Sequence, residues 1–490
     1  MIYSTIFTTL LLSGSSLAAI VPYNFRIRNV QAAPDGFQRS VVSVNGLIPG
    51  TLITANKGDT LLINVTNELT DASMRRATTI HWHGLFQSTT ASEDGPAFVT
   101  QCPISQFNSY TYRIPLGQQT GTFWYHSHLS SQYVDGLRGA LVVYDPQDPH
   151  RSRYDVDDAS TVITLEDWYH TPAPTLQAQF FDTNNTALAA PYWLVSSASI
   201  FSIENHRMTI IEADGISHEP LIVDSFQVYA GQRYSVVVEA NQTVANYWVR
   251  SPMTVANAAN NLNLDATNVF AVLHYQGAPN AEPTTEQGTA IGTPLVEENL
   301  HALINPGAPG GSNPADVQVN LTIGRTTIDG SVAFTFNGIQ YKSPSLPTLL
   351  KILANNATTN ADFGTDEHTL ALPLYKTIEL VITGGVDHPI HLHGHVFDVV
   401  QSLGGSINYV NPPRRDVVRV SSTGVILRFR TDNPGPWFVH CHIDWHLEAG
   451  LALVFAEAPS EARTGAQRVV PAPGWDQLCP KYAALSSGLQ

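Results

Sequence analysis

His440-Cys441-His442-Ile443-Asp444-Trp445-His446, with His388-Pro389-Ile390-His391-Leu392-His393-Gly394-His395 upstream of it, carries the pattern from which this chain can be read. Residues i and i+2 of a β-strand share a face, so each His-x-His unit presents two imidazoles side by side. His391-Leu392-His393 is followed 49 residues later by His440-Cys441-His442, and His81-Trp82-His83-Gly84 is followed 45 residues later by His126-Ser127-His128. Two distant segments thus carry the same pair of units at nearly the same separation. That predicts duplicated domains facing each other, with a third between them. One isolated pair would be read as two satisfied histidines on a half-buried strand; four matched pairs are not.

The remaining sequence is all-β in pattern. Runs rich in β-branched and aromatic residues, among them Thr60–Val65, Thr122–Tyr125, Tyr234–Glu239, Thr377–Ile382 and Val425–Arg430, alternate with Asn45-Gly46, Asp94-Gly95-Pro96 and Asn433-Pro434-Gly435-Pro436. No long amphipathic helix pattern interrupts them, and many short strands with turn punctuation mean sandwiches or barrels. The 490 residues suit about three domains. Turn residues at Asp145–Pro149 mark one boundary, and the Pro/Gly/Thr/Ala-rich stretch from Gly277 to Pro294 reads as a linker.

Acidic residues outnumber basic ones 41 to 25, and the net charge of −16 argues against a nucleic-acid partner, which needs a concentrated basic surface. The apolar run Ile6–Leu12, followed by Ser16-Leu17-Ala18, reads as a signal peptide over residues 1–18. No later apolar stretch approaches the roughly 20 residues that span a bilayer. Asn-x-Ser/Thr sequons begin at Asn64, Asn184, Asn241, Asn320 and Asn356. The expectation is a secreted, extracellular, monomeric glycoprotein with no membrane partner.

Eighteen histidines against three cysteines point to metal rather than to a disulfide scaffold. Eight imidazoles in four pairs exceed what one zinc ion uses, since zinc is satisfied by four ligands, and suit several ions sharing a dry interface. Cys441 lies between two histidines, so strand geometry sends its sulfur to the opposite face from both. Two histidines and a thiolate form the trigonal ligand set of a blue-copper electron-transfer site. A core cysteine is the plainer reading of Cys441, and His440-Cys441-His442-x-x-x-His446 outweighs it.

At this point the chain resembles the multicopper oxidases, and among them the fungal laccases. The His motifs at 81–83, 126–128, 388–395 and 440–446 look like that family's four copper motifs. Asp94-Gly-Pro-Ala-Phe-Val-Thr-Gln-Cys102-Pro, Gln132-Tyr-Val-Asp-Gly-Leu-Arg-Gly139 and Arg428-Phe-Arg-Thr-Asp-Asn-Pro-Gly-Pro-Trp437 look like laccase sequence around them. The resemblance implies three cupredoxin-like Greek-key β-sandwich domains: residues 19–147, 148–278 and, after a linker at 279–294, 295–490. It implies four copper ions. His388, Cys441 and His446 match the type 1 ligands, and His81 and His391 those of type 2. His83, His126, His128, His393, His440 and His442 match the type 3 pair. His395 is not a ligand in the family and is left structural. Leu451 matches the axial position of the type 1 site, Asp94 and Asp416 match acids that supply protons to the cluster, and Cys102 and Cys479 match a disulfide. The implied activity is one-electron oxidation of phenols, with His446 at the donor site, coupled to reduction of O2 to water in lignin or phenolic degradation or detoxification. An Fe(II) metallo-oxidase, with Asp444 and Glu448 near His446, and a copper-binding but catalytically impaired protein are the alternatives.

The chain also departs from the family. A second disulfide is missing, with Val134 where one of its cysteines stands. The middle domain reads as shortened by at least two strands, because Ala189–Leu194 runs almost directly into Phe201-Ser-Ile-Glu-Asn-His206. Val195–Ile200 holds no acid to accept a phenolic proton. Asp214 is the next candidate, and it reads more simply as a turn residue before Gly215.

Overall fold

The computed structural model describes residues 18–182, 198–254 and 270–486, apart from 287, 289–291, 386 and 403. Residues 1–17 of the expected signal peptide, Asn184, Ala189–Leu194 and, of Val195–Ile200, the first three residues lie outside the described residues.

Strand burial follows from residue alternation. Thr60–Asn67, Ser109–Pro115 and Thr377–Thr383 alternate buried with half-buried or exposed residues, as strands do with one face on a core and one toward water. Six sheets result, and they pair into three sandwiches. In the first, Arg39–Val44, Ile20–Ala32, Thr60–Asn67 and Ser109–Pro115 face Ile53–Asn56, Arg138–Tyr144, Gly121–Ser127 and Ile80–His83. In the third, a sheet ordered Ser331–Phe336, Val317–Ile328, Thr377–Thr383, Val425–Arg430, Phe397–Gln401 and Arg414–Arg415 faces a second. That second sheet runs Thr369–Leu372, Ala452–Glu457, Gly435–Cys441, His388–Leu392 and Val417–Val420. Its strands His388–Leu392 and Gly435–Cys441 are buried at every residue, so both their faces are covered.

The first and third sandwiches share one continuous apolar core, from Phe25 and Trp82 through Trp437 and Leu453. The middle sandwich is separate and thin. Its described strands form sheets of three and four, around a small cluster of Phe201, Ile203, Met208, Ile210, Ala213, Val223, Phe226 and Leu300. Tyr234–Val238, at the edge of the three-stranded sheet, is half-buried throughout.

Cys102 is bonded to Cys479, joining a loop of the first sandwich to the C-terminal helix Leu478–Ala483. Of the four described sequon asparagines, Asn241, Asn320 and Asn356 are exposed and Asn64 is half-buried. Among the described residues, no helix is long and apolar enough to cross a membrane.

Candidate metal centre

Register brings the histidines together. In the first sandwich His81 pairs directly opposite His126. In the third, His391 pairs opposite His440, and Ile390 opposite Cys441. Alternation therefore turns His391 and His440 one way and Cys441 the other, as the sequence predicts. His388 has the parity of Ile390, so it lies on the Cys441 side. Two clusters result, joined by the single strand that carries Cys441 between His440 and His442.

On one side, the nitrogens of His81, His391 and His393 lie within 4.8 Å of one another. The same holds for His81, His83 and His126, and for His128, His393 and His440. His442 Nε2 faces His83 Nδ1 at 3.2 Å. On the other side, Cys441 Sγ lies 3.6 Å from His388 Nδ1 and 3.5 Å from His446 Nδ1, with the two nitrogens 3.1 Å apart.

The tautomers follow from the surroundings. Backbone carbonyls only accept, so the Nδ1–H of His81 donates to Asp94 O at 2.8 Å and that of His391 to Asp416 O at 2.9 Å. His126 and His440 donate to Ser127 O and Cys441 O, each at 2.9 Å. This arrangement leaves Nε2 lone pairs pointing inward. The Nε2 atoms of His81, His126 and His391 are buried with no hydrogen-bond partner. His393 donates Nδ1–H to Asp94 Oδ2 at 2.9 Å, so its Nε2 lone pair faces that of His440 at 3.1 Å. Facing lone pairs in a dry site repel unless cations lie between them.

Electrostatics agree. Burial, then neighbouring imidazoles, hold His83, His126, His128, His391, His393 and His442 well below the usual histidine range. Burial alone takes His388 down to about 4. The imidazoles are therefore neutral, the form that binds metal. Burial pushes the Cys441 thiol far up, so a thiolate there requires a cation in place of its proton. The donor set fits copper: imidazoles on one side, and two imidazoles with a thiolate on the other.

Asp94 and Asp416 sit where the sequence predicts, against the cluster. Both are fully buried, and burial holds both carboxyls above their usual range. Asp416 Oδ1 is 3.3 Å from His83 Nε2. Leu451 is fully buried and tied to both sides of the smaller site: its carbonyl accepts from Cys441 N at 3.1 Å, and its N–H donates to His446 O at 2.9 Å. His395 is absent from the clusters and is paired with Glu457 at 3.0 Å. None of His150, His170, His206, His218, His274, His301 and His368 joins a metal-ligating group among the described residues.

Sequence reading misses the shell behind Asp416. Arg233 of the middle sandwich grips that carboxylate with two hydrogen bonds, at 2.6 and 2.8 Å. Asp214 is a turn residue by its backbone, with φ of +50°, yet it is fully buried and its Oδ2 accepts from Arg415 at 2.9 Å. Burial raises its pKa, and Arg415 and Arg233 overcome that and lower it. It is thus committed to an ionic network beneath the larger cluster. Gly231 takes φ of +88°, and a Cβ there would come within 2.9 Å of His442, so the middle domain's backbone closes this side of the cluster. The adjacent Arg414-Arg415-Asp416 was the one visible hint of such a network.

Multicopper oxidase family models match residues 26–148, 194–278 and 341–461. The chain is 68% identical to Laccase-4 of Thanatephorus cucumeris over 480 residues, covering 90% of each protein. It is 45% identical to Laccase-2 of Trametes versicolor, covering 99% of this chain and 98% of that one. Among solved structures, Fet3p, a multicopper oxidase that functions in iron import, superposes with a TM-score of 0.82 at 28% identity, covering 96% of both chains. The L499M mutant of the laccase from Botrytis aclada gives 0.81 at 30% identity, covering 96% of this chain and 93% of that one. The chain belongs to the multicopper oxidase family and, within it, to the fungal laccases.

Proposed function

We propose that the chain oxidises phenols at a type 1 copper held by His388, Cys441 and His446, and reduces dioxygen at a three-copper cluster. In that cluster His81 and His391 hold the type 2 ion, while His83, His126, His128, His393, His440 and His442 hold the type 3 pair. The observation that carries this reading is the convergence of buried, partnerless Nε2 atoms from two sandwiches on one side of the strand whose Cys441 faces the other. Bound copper supplies the redox chemistry, taking single electrons from the donor and passing four to each dioxygen to give two waters.

The chain's own residues do the rest. Cys441 is bonded through its backbone to His440 and His442, so a short covalent path links the two sites. Four protons are consumed per dioxygen, and Asp94 and Asp416, held protonatable by burial beside the cluster, act as the acids that deliver them. Arg233 positions Asp416. Leu451, buried beside Cys441 and His446, would offer no donor atom to an ion held there.

The Fe(II) reading is less supported. It needs carboxylates at the edge of His446, but Glu448 accepts from Ser130 at 2.6 Å and Asp444 is half-buried within reach of Arg138. Both are turned toward the first sandwich. The same reading takes 19–147, 148–278 and 295–490 as the domains, with secretion as a glycosylated monomer.

The deciding experiment is copper analysis, the visible spectrum and oxygen uptake of the secreted protein. Four coppers per chain, a blue band and uptake with a phenol are expected. Uptake only with Fe(II), or a folded copper-loaded protein with no uptake, would overturn the proposal. Cys441→Ser should lose the blue band and retain about three coppers, the count left when a trigonal site loses its thiolate.

A further inference from the structure

Six imidazoles of the larger cluster divide into two sets of three, and one aromatic ring lies against each set. The nitrogens of His128, His393 and His440 converge, while His83 lies with His126 and faces His442 at 3.2 Å. The indole of Trp124 stacks on His126 at 4.3 Å and lies 5.1 Å from His83 and 5.4 Å from His442. The Phe438 ring lies 5.0 Å from His440, 5.7 Å from His128 and 5.9 Å from His393. The two rings hold equivalent places in the repeat. Trp124 stands two residues before His126 in Gly121–Ser127, and Phe438 two before His440 in Gly435–Cys441, so each shares a strand face with the histidine it backs. Each also reaches across the join between sandwiches, Trp124 to His442 of the third and Phe438 to His128 of the first. Both are themselves walled in, Trp124 by Tyr133 at 5.8 Å and Phe438 by Tyr341 at 5.1 Å.

Such a wall has a use. The torsion that turns a histidine ring is broad, so a rotamer alone leaves the ring plane loose. His126 and His440 are fixed by bonds to carbonyls, and His393 and His83 face the carboxylates of Asp94 and Asp416. Among the described residues, His442 and His128 have no hydrogen-bond partner in another residue except an imidazole of the cluster. These two are the histidines that Trp124 and Phe438 meet across the join. The Trp124 N–H is buried without an acceptor, which costs stability and which a phenyl ring would avoid, so the indole serves there as a wide flat face and not as a donor.

We infer that Trp124 and Phe438 are positioning residues, each setting the ring plane of the unanchored imidazole contributed by the opposite sandwich and so completing one ligand set of the type 3 pair. This rests on the proposed reading of these six histidines. An aromatic face suits the task because it lies flat against an imidazole and attracts the positive charge that the ring shares once it holds a cation. An aliphatic side chain of similar bulk fills the space without either property.

The test follows copper retention and spectra of the copper-loaded protein, without turnover. In Trp124→Leu the near-ultraviolet absorption of the type 3 pair should fade at a chelator concentration about 10–100-fold lower than in the wild type, the range for partners that stand behind metal ligands. Phe438→Leu should behave in the same way. The blue band should keep its intensity in both, which also shows that each variant is folded. Trp124→Phe, which restores a flat face, should recover most of the loss. Unchanged chelator resistance in either leucine variant, a parallel loss of the blue band, or no recovery in Trp124→Phe would overturn the inference. A wild-type protein that loads copper but has no near-ultraviolet copper band would instead overturn the underlying function.

Discussion

Single residues set the properties of each site. Leu451 is fixed by its backbone bonds to Cys441 and His446, so a side chain at this position cannot easily turn away. Leu451→Met should place a thioether near the copper, favour Cu(II) and lower the type 1 potential by tens of millivolts, where about 59 mV is a tenfold change for one electron. Redox titration of the blue band checks this, and an unchanged or raised potential would count against the axial role. Asp94 is the clearer of the two acids, since its carboxylate accepts from His393 at 2.9 Å, whereas that of Asp416 is also held by Arg233. Asp94→Asn keeps the shape and removes the proton, so oxygen reduction should slow by about a hundredfold or more while the blue site still bleaches with a phenol. Oxygen uptake and its pH profile would show it, and an unaltered profile would remove Asp94 from the proton path.

At the level of elements, one strand does most of the organising. Gly435–Cys441 is buried on both faces and carries the bridge between clusters, and its pairing with His388–Leu392 and Ala452–Glu457 sets the register of every ligand in the third sandwich. The first sandwich must be held against it, and the Cys102–Cys479 bond does so across a sequence separation of 377. Trp475 adds to this join, its Nε1–H donating to Thr100 O at 3.1 Å. Closing so long a loop restricts the unfolded chain, by roughly 6 kcal/mol as an upper bound. Cys102→Ser should cost about 2–5 kcal/mol, read as a shortened half-life of activity on heating. A half-life equal to that of the wild type would show that packing alone holds the sandwiches together.

For the whole molecule, the sites are a store of buried neutral bases. Nine of the ligand histidines are held below the unfolded value of 6.5, His388 to about 4 and His440 to about 3. A depressed base contributes stability above its unfolded pKa and loses it as pH falls toward the folded one. Carboxyls such as Asp135 and Asp398, pushed up to about 6 by burial, act in the opposite sense, favouring the fold below their unfolded value and losing that contribution as pH rises through 6. Between pH 7 and 6 the unfolded imidazoles take up protons before most of these carboxyls matter. Copper-free protein should therefore lose several kcal/mol over that unit and go on losing stability toward pH 5. Urea midpoints at pH 7, 6 and 5 test this, and a midpoint that holds or rises at pH 6 would contradict it. Bound copper should raise the stability at each pH and leave the dependence in place, since the unfolded imidazoles still take up protons.

What the chain determines by itself is local and periodic. The side-by-side imidazoles of each His-x-His unit, the opposite direction of Cys441 and the all-β class follow from the two-residue strand repeat and turn residues, and the structure bears them out. Only tertiary structure decided the rest. Asp214, Arg233 and Arg415 are far apart in sequence and unremarked by spacing, yet folding buries them together, because unpaired charges could not remain in the dry wall behind Asp416. The meeting of Trp124 with His442, and of Phe438 with His128, likewise depends on how the two sandwiches dock, which no motif in the sequence encodes.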